Sequence, residues 1–452
     1  MTGGLFSNAD LKRLIIPLIF EHILAITVGM ADTMMIARAG EAAMSGVSLV
    51  NMLNDLMNQV LAALSTGGVI VTSHMLGAGK AEEARSSAKQ LIVMACGVSL
   101  FLMIFMFFLR RPALSLFFGN IEADVMENAI LYLIITAFSF PCMGLYNACA
   151  ALFRAMGNTG VTFRVSLLVN LINVTGNAVC ILGLHMGVAG VALPTLLARG
   201  TGGFLLYLSL KNKENVIYLS KEKFHFNLEV IKDILRIGIP SGLENGFFQL
   251  GKLMTVSFVS TFGTVQIAAN GIANNLDSLG CLIGSPMILA MLTVAGRCAG
   301  AGDLKQVNHY VKKLLRITYL ASGILNAVIL LSLNWLLALY SVSAETAKLS
   351  YSLVMIHNGI AIILWPAAFV LPAALRACKD VRFVMVTISF SMWAFRVGLG
   401  YILGVILGLG AIGIWLAMLA DWVFRAACFI GRYVRGKWKL KVKSEHERLD
   451  IT

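Results

Sequence analysis

Acidic side chains inside long apolar stretches are the residues of this chain best suited to chemistry. Acids in membrane segments are costly and usually mark ion or substrate pathways, because a carboxylate there can bind H⁺ or a metal cation or attract a cationic molecule. Asp32 has no cation within one turn on its own segment, whereas Asp421 precedes Arg425 by four residues and is predicted to form a structural ion pair. The six acids are Glu21, Asp32, Asp55, Glu244, Asp277 and Asp421.

Amide side chains accompany several of these acids at helical spacing. Each pattern places its polar groups on one helix face, and in a bilayer such a face must meet protein or water. We expect the three faces to line a hydrated cavity, although hydrogen bonds between helices would produce the same pattern. The sets are Asn51, Asn54, Asp55 and Asn58; Asn170, Asn173 and Asn177; and Asn270, Asn274 and Asp277.

The spacing of the first two acids predicts that they share a helix face. Glu21 and Asp32 are eleven residues apart, which is close to three helical turns and about 16 Å. Pro17 precedes Glu21, and Pro240 precedes Glu244 in the same way. Because proline removes one backbone hydrogen bond, the helix should be loosened just before each acid.

Composition requires that lipid covers most of the elements that carry these residues. The chain has 452 residues, of which 58% are hydrophobic and 13% charged, and its mean hydropathy is +0.82. Soluble proteins carry about 25% charged residues, so a soluble enzyme, a disordered protein and a nucleic-acid partner are excluded. Eight cysteines without a C-x-x-C pair, and seven histidines without metal-site spacing, predict no bound metal and no cofactor beyond a coupling ion.

The apolar stretches predict twelve membrane-spanning helices, since a span needs about 20 apolar residues. The predicted organisation is an N-terminal six-helix lobe (1–210), a cytoplasmic linker (211–230), a C-terminal six-helix lobe (231–433) and a basic cytoplasmic tail (434–452). The predicted spans are 13–37, 45–73, 90–109, 128–150, 162–183, 188–210, 231–259, 266–296, 313–337, 347–372, 383–404 and 411–432.

The distribution of basic residues predicts the orientation. Of the 36 Lys and Arg residues, 28 fall at the N-terminus, in the even-numbered linkers or in the tail, and four fall in the odd-numbered linkers, when the adjoining span ends are counted with each linker. Cytoplasmic loops carry the excess of Lys and Arg. We therefore expect a multi-pass protein of the cell inner (plasma) membrane with both termini cytoplasmic. The net charge of +13 is then a topology signal, and the tail is predicted to contact anionic lipid.

The two halves of the chain repeat each other at a constant offset of 223 residues. Pro17 pairs with Pro240, and Glu21 with Glu244. Each predicted half contains an even number of spans, so both halves enter the membrane in the same direction. We expect two lobes related by a pseudo-two-fold axis along the membrane normal, as in transporters built from parallel repeats. Further pairs are Asp10 with Asp233, Arg13 with Arg236, Gly40 with Gly263, and Asn51 with Asn274.

These motifs resemble the multidrug and toxic compound extrusion (MATE) family over essentially the whole chain. The first span contains P-L-I-F-E and, after ten intervening residues, D-T-M-M-I-A-R-A-G. The linker after span 4 contains R-A-M-G-N-T at 154–159, and its second-half counterpart is R-A-C-K-D at 376–380. Span 5 contains the N-x-x-x-N pattern of Asn173 and Asn177.

The resemblance implies export of organic, cationic compounds in exchange for H⁺ or Na⁺. It identifies Asp32 as the coupling acid and a possible Na⁺ ligand, with Asn173 and Asn177 beside it; some members have an Asp in place of Asn177. We add Glu21 to this coupling group. Gln249 occupies the usual acid position of span 7, and His357 is the titratable group of the otherwise acid-free span 10. The predicted substrate-cavity residues are Glu244, Asp55, Asn51, Asn274, Asp277 and Gln249.

Two other classes of function remain as alternatives. A flippase for lipid-linked saccharide precursors would need a cationic cavity, whereas the predicted spans contain, away from their ends, six acids and four bases. A membrane enzyme would need a nucleophile with its base, or a metal cluster, and the sequence contains neither pattern. The sequence therefore predicts an ion-coupled exporter that acts as a monomer on small organic cations.

Overall fold

The computed structural model describes residues 4–119, 122–219, 225–340 and 342–451, and among these the regular structure is entirely helical. An all-α membrane fold is therefore confirmed. The helices are α1 Asn8–Ile36, α2 Glu41–Gly77, α3 Ala81–Phe118, α4 Ala123–Ala137, α5 Phe140–Met156, α6 Thr159–Asn177, α7 Ala189–Ser209, α8 Leu228–Ser260, α9 Thr264–Gly280, α10 Gly284–Gly300, α11 Leu304–Leu331, α12 Leu333–Ala338, α13 Ala344–Trp365, α14 Leu371–Ala377, α15 Val381–Ser391, α16 Gly410–Val434 and α17 Lys437–Ile451.

Several α-helices continue into π-helical segments, which are wound more widely, or into a 3₁₀ turn, which is wound more tightly. π-helical turns leave some backbone groups offset from the regular ladder and are frequent at functional sites. One follows α6 directly after Asn177, and another contains Arg396. The π-helical segments are Ala178–Gly183, Pro366–Val370, Met392–Leu399 and Ile402–Ile406, and a 3₁₀ turn covers Ala37–Ala39.

Most of the predicted spans correspond to long apolar helices. Among the described residues, ten helical stretches are long and apolar enough to cross a membrane, and α4 with α5 forms an eleventh that is bent by 48°. The remaining predicted span, 231–259, lies within α8. This helix has 33 residues and is about 50 Å long, but it is more polar because it contains both Glu244 and Lys252.

The helices group into two compact units. The first unit is Phe6–Gly242; the second begins at Leu243 and includes Leu5 from the start of the chain. The division therefore falls within α8. The predicted linker 211–230 begins after α7, and its residues 220–224 lie outside the described residues.

Pro17 explains a contact between α1 and α6 in the first unit. Proline has no N–H, so the carbonyl of Arg13, four residues earlier, loses its usual helical partner. The hydroxyl of Thr159 lies 2.9 Å from that carbonyl and also 2.9 Å from the carbonyl of Leu14. The threonine of the R-A-M-G-N-T linker therefore holds the start of α6 against the loosened turn of α1.

Small residues allow α2 to approach its neighbours closely. A Cβ at Gly46 would lie 2.9 Å from the backbone nitrogen of Ala129 on α4. A Cβ at Gly67 would collide with the carbonyl oxygen of Ile234 at the start of α8. Because lipid gives no hydrophobic drive for helices to associate, such close backbone packing is a main source of stability in membranes.

Amide groups join α9, α11 and α13 in the second unit. The amide of Asn326 donates to the carbonyl of Gly280 (3.1 Å), and the amide of Asn358 donates to Asn326 (3.0 Å). Asn358 is fully buried, and Asn326 is 1% exposed. A Cβ at Gly280 would meet both side chains. These contacts fix the helix that contains His357.

The basic tail forms a docked helix, α17. Trp438 and Val442 are each 1% exposed, and the Trp438 ring stacks on Tyr433 with centroids 5.4 Å apart. Glu445 forms an ion pair with Lys379 at 2.6 Å. One face of α17 therefore packs on the second unit, while its four lysines at 437, 439, 441 and 443 remain exposed.

Candidate functional site

Asp32 lies on α1 opposite two amides of α6. Nδ2 of Asn177 donates to Oδ1 of Asp32 at 2.7 Å. With the amide oxygen of Asn173 accepting from Thr195 (3.1 Å), its nitrogen lies 2.9 Å and 3.1 Å from the two carboxylate oxygens. The four-residue spacing places both amides on one face of α6. The sequence-predicted group of Asp32, Asn173 and Asn177 is thus brought together.

The surroundings of this group favour reversible ion binding over a fixed structural role. Asn177 is fully buried and Asn173 is 7% exposed, while Asp32 retains partial exposure. Two N–H donors stabilise the ionised carboxylate, and they lose that interaction when the acid is neutralised. Neutralising Asp32 would therefore weaken the contact between α1 and α6.

Arg199 on α7 is an internal cation of the first unit that sequence reasoning did not assign to the site. Its Nη1 donates to the hydroxyl of Ser139 at 2.8 Å, and its guanidinium lies within electrostatic range of Asp32 and Asp55. The hydroxyl of Tyr132 lies within the same range and donates to Asn51 at 3.2 Å. The predicted cavity residues Asn51 and Asp55 are therefore linked to Asp32 through the field of one arginine.

Glu21 also faces α6, but it lies in a separate polar group. Its carboxylate accepts from Thr162 at 3.3 Å and from Tyr146 at 3.5 Å, and Arg154 lies within electrostatic range. Both hydrogen bonds are long, so the carboxylate is only loosely held. The structure thus brings Glu21 and Asp32 to the same neighbouring helix without bringing them into contact.

Some of the asparagines that were predicted to form polar helix faces hydrogen-bond within their own helix. The amide of Asn170 donates to Ser166 one turn earlier on α6 (2.8 Å), and that of Asn274 donates to the carbonyl of Asn270 on α9 (2.8 Å). Asn58 instead accepts from Asn147 on α5 (2.9 Å). For Asn170 and Asn58, hydrogen bonding within or between helices accounts for the spacing.

Glu244 in the second unit is ion-paired with Arg376, which lies in the R-A-C-K-D turn. Glu244 is 5% exposed. A buried carboxylate with a fixed guanidinium is neutralised as it stands and is therefore less available to a transported cation. Gln249, five residues later on α8, has an exposed side chain.

Asp277 and His357 meet across α9 and α13. Nδ1 of His357 lies 3.2 Å from Oδ1 of Asp277. His357 is fully buried, and its ring lies between Trp415 and Trp422, with centroids 4.7 Å and 4.3 Å away. Sequence spacing could not reveal this pair, because its two residues are 80 positions apart in the chain.

The predicted Asp421–Arg425 ion pair is confirmed. Nε of Arg425 lies 2.7 Å from Asp421, and both side chains are fully buried. Arg396, on the π-helical segment after α15, is the second cation here, 4.0 Å from the same carboxylate. Both guanidinium groups also lie over the ring of Phe248, at 5.6 Å and 5.5 Å from its centroid. This cluster is basic overall, unlike the Asp32 group of the first unit.

Among the residues that the structure describes, no group of three or more His, Cys, Asp or Glu side chains is arranged to hold a metal ion. Asp32 is the single carboxylate in its group, and its neighbours are amides. A sodium ion at Asp32 would need amide or water oxygens as its other ligands.

The family model MatE matches this chain twice, at residues 17–179 and at residues 240–402. The matches begin and end 223 residues apart, which is the offset of the internal repeat. In this register Glu21 corresponds to Glu244, but Asp32 corresponds to Thr255 and Asn173 to Arg396. The two halves thus share a scaffold and differ in their ionisable groups.

Individual proteins resemble the chain over nearly its full length. It is 27% identical to the Thermotoga maritima protein "Probable multidrug resistance protein NorM" over 97% of this chain and 95% of that protein. It is also 27% identical to the Bacillus subtilis protein "Uncharacterized transporter YisQ", with 90% of each covered. A crystal structure of MATE in the bent conformation matches with a TM-score of 0.88 at 19% identity, over 97% of this chain and 96% of that one. The chain therefore belongs to the MatE family of membrane transporters.

Proposed function

We propose that this protein exports small organic cations from the cytoplasm across the cell membrane, in exchange for protons that bind at Asp32. The observation that carries the proposal is the contact of the Asp32 carboxylate with the amides of Asn173 and Asn177, inside the membrane-spanning region. An acid held by neutral donors can take up and release a cation without breaking an ion pair with a neighbouring base. The names of relatives such as the Thermotoga maritima protein support a multidrug substrate range.

The orientation of the Asn177 amide favours H⁺ over Na⁺ as the coupling ion. Asn177 directs its N–H at Asp32, and Asn173 does the same when its amide oxygen accepts from Thr195, whereas a sodium ion would require amide oxygens there. A proton needs no further ligand, since it bonds to one carboxylate oxygen and leaves the other as an acceptor. Sodium coupling at Asp32 remains the alternative that the experiment must exclude.

Several acids could attract a cationic substrate. In the first unit Asp55 and Asn51 lie on the exposed face of α2. In the second unit Asp277, Asn274, Gln249 and Glu244 are the proposed contacts, although Glu244 is already neutralised by Arg376. A cation gains electrostatic energy from such groups because the surroundings have a low dielectric constant.

Transport would proceed by alternating exposure of the substrate site to the two sides of the membrane. Proton binding from outside would remove the charge of Asp32 and weaken its hydrogen bonds to α6, which would favour the state that releases substrate. Proton release to the cytoplasm would restore them. We propose that both termini are cytoplasmic and that the protein acts as a monomer with membrane lipid around it.

Transport in proteoliposomes tests this proposal. Efflux of the fluorescent cation ethidium would be followed under a pH gradient alone and under a sodium gradient alone. We expect the pH gradient to drive efflux in the wild type and to fail in Asp32→Asn. The control is Asn170→Ala, because the Asn170 amide bonds within its own helix.

Each other outcome contradicts a defined part of the proposal. Efflux driven by sodium alone would replace the proton by Na⁺. Undiminished pH-driven efflux in Asp32→Asn would remove Asp32 from the coupling site. Movement of a lipid diphosphate with no movement of ethidium would instead favour the flippase.

A further inference from the structure

We propose that Asp277 and His357 form a second proton-binding site, in the second unit and separate from Asp32. The proposed function places a proton on the first unit only. This inference rests on that function for its role in transport, but the binding itself can be measured without transport.

The two side chains lie at ion-pair distance, and a proton on His357 would complete the ion pair. Nδ1 of His357 lies 3.2 Å from Oδ1 of Asp277. Neither ring nitrogen has an aligned hydrogen-bond partner among the described residues, although the imidazole is fully buried. Burying a polar ring without partners is costly. A proton on Nδ1 would convert the close contact into an imidazolium–carboxylate pair.

Two tryptophans lie close enough to the His357 ring to interact with an imidazolium. The centroid of the His357 ring lies 4.7 Å from that of Trp415 and 4.3 Å from that of Trp422. Cations within about 6 Å of an indole ring are attracted by its quadrupole. The indole of Trp415 is itself fixed by a 2.9 Å hydrogen bond to Asn270 on α9, the helix that contains Asp277. Two electron-rich rings therefore lie within this range of the imidazole.

Charged groups on the neighbouring helices leave Asp277 as the acid available to His357. On α16, Asp421 is already paired with Arg425 at 2.7 Å. On α8, Lys252 lies within electrostatic range of Asp277, but its side chain is exposed. The thiol of Cys281, at the end of α9, lies 3.6 Å from the same oxygen of Asp277. Arg396, after α15, lies 4.0 Å from Asp421, and Tyr319 lies on α11.

The charge balance of the step is simple. The pair starts with an ionised Asp277 and a neutral His357, with a charge of −1. One proton binds at Nδ1, no other bond changes, and the pair becomes neutral overall. Loss of net charge is favourable in a low-dielectric environment. The site therefore takes one proton, and Asp277 gains a direct imidazolium partner.

Tryptophan fluorescence provides the test, because a protonated imidazole in contact with an indole quenches its emission. The full-length protein would be titrated in lipid nanodiscs over about pH 8 to 5, the range in which histidine changes charge. We expect the wild-type emission to fall on acidification and His357→Gln to lose that fall. His309→Gln is the matched control, since His309 is exposed and meets the ring of a tyrosine edge-on.

The variant Asp277→Asn tests the pairing while leaving the histidine in place. Without the carboxylate, the imidazolium loses its partner, so the same acidification should quench the emission less than in the wild type. Quenching equal to that of the wild type would show that His357 binds a proton without Asp277 and would overturn the pair. Identical titrations of wild type and His357→Gln would overturn the site altogether. If His357→Gln does not fold, as judged by size-exclusion chromatography, the Asp277→Asn titration decides alone.

A transport measurement separates this inference from the proposed function. If quenching is present but ethidium efflux is absent, the second site stands and the export proposal fails. If efflux is present, its dependence on pH should be weaker in Asp277→Asn than in the wild type. If efflux depended equally on pH in the two proteins, the second site would play no part in transport.

Discussion

The amide nitrogen of Asn177 lies 2.7 Å from a carboxylate oxygen of Asp32 and joins α6 to α1. The contact occurs one residue before α6 changes to π-helical winding at Ala178–Gly183. A hydrogen bond to a charged group is worth about 1.5–3 kcal/mol. Under the proposed function, the binding of a cation at Asp32 would thereby be connected to the packing of two helices.

Asn177→Ala should destabilise the protein more at neutral pH than at acidic pH. At neutral pH the ionised Asp32 loses a charge-assisted donor, at a cost of about 1.5–3 kcal/mol. Once Asp32 is protonated, removing the Asn177 amide lowers the free energy of unfolding by less. Thermal unfolding in detergent at pH 8 and at pH 5 measures the difference, with Asn170→Ala as the control. A pH-independent loss would contradict an ionised Asp32.

Removing one partner of the Glu244–Arg376 pair should be strongly destabilising. Glu244 is 5% exposed, so Arg376→Gln would leave an unpaired, buried carboxylate. Breaking a buried pair in this way costs about 3–5 kcal/mol. The double variant Glu244→Gln/Arg376→Gln should recover part of that stability, as measured by the midpoint of thermal unfolding. A double variant no more stable than Arg376→Gln would rule out charge as the cause.

Gly67→Ala should loosen the contact between α2 and the start of α8. The new Cβ would collide with the carbonyl of Ile234 and lie 3.2 Å from the backbone nitrogen of Gly238. Overpacking of this kind costs about 1–3 kcal/mol. Gly97→Ala is the control, because no atom lies within 4 Å of its new Cβ, and it should stabilise α3 by up to about 1 kcal/mol. Equal thermal stability of the two variants would show that the close contact with α8 does not restrict the size of residue 67.

Asp303 should contribute pH-dependent stability at the start of α11. Its carboxylate accepts from the backbone N–H groups of Gln306 and Lys305, both at 3.0 Å, and these bonds lower the pKa of Asp303. A group with a lowered pKa stabilises the fold above its unfolded pKa, and that contribution is lost as the pH falls through the folded value. Asp303→Asn should therefore be less stable than the wild type at pH 7 and equal to it in strong acid. Parallel unfolding curves at both pH values would contradict this.

The proposed coupling group could be predicted from the sequence because its residues lie on regular helices. Spacing placed Asn173 and Asn177 on one face, and Asp32 was conspicuous as an acid in an apolar span. The helical fold and most spans followed from hydropathy in the same way. The bend between α4 and α5 was not predicted, because it occurs within a continuous apolar stretch whose polarity does not change.

Partners from distant parts of the chain could not be predicted. Arg376 lies 132 positions from Glu244, and no local pattern connects them. His357 stood out as a lone titratable residue, but its tryptophan neighbours and its contact with Asp277 depend on how α9, α13 and α16 pack. The amides of Asn170 and Asn274 show the converse, because helical spacing cannot tell a polar face from side chains that bond within their own helix.

The constant offset of 223 residues also bears on how the chain diverged after its duplication. No insertion or deletion separates the two matched stretches, and the proline and glutamate of the first helix are kept in both. Yet an aspartate at position 32 stands opposite a threonine at 255, and an asparagine at 173 opposite an arginine at 396. The two matched stretches have the same spacing, whereas the ionisable residues at paired positions differ. Each half therefore supplies a set of substitutions for the other, and exchanging residues between paired positions would reveal which of them separate the roles of the two halves.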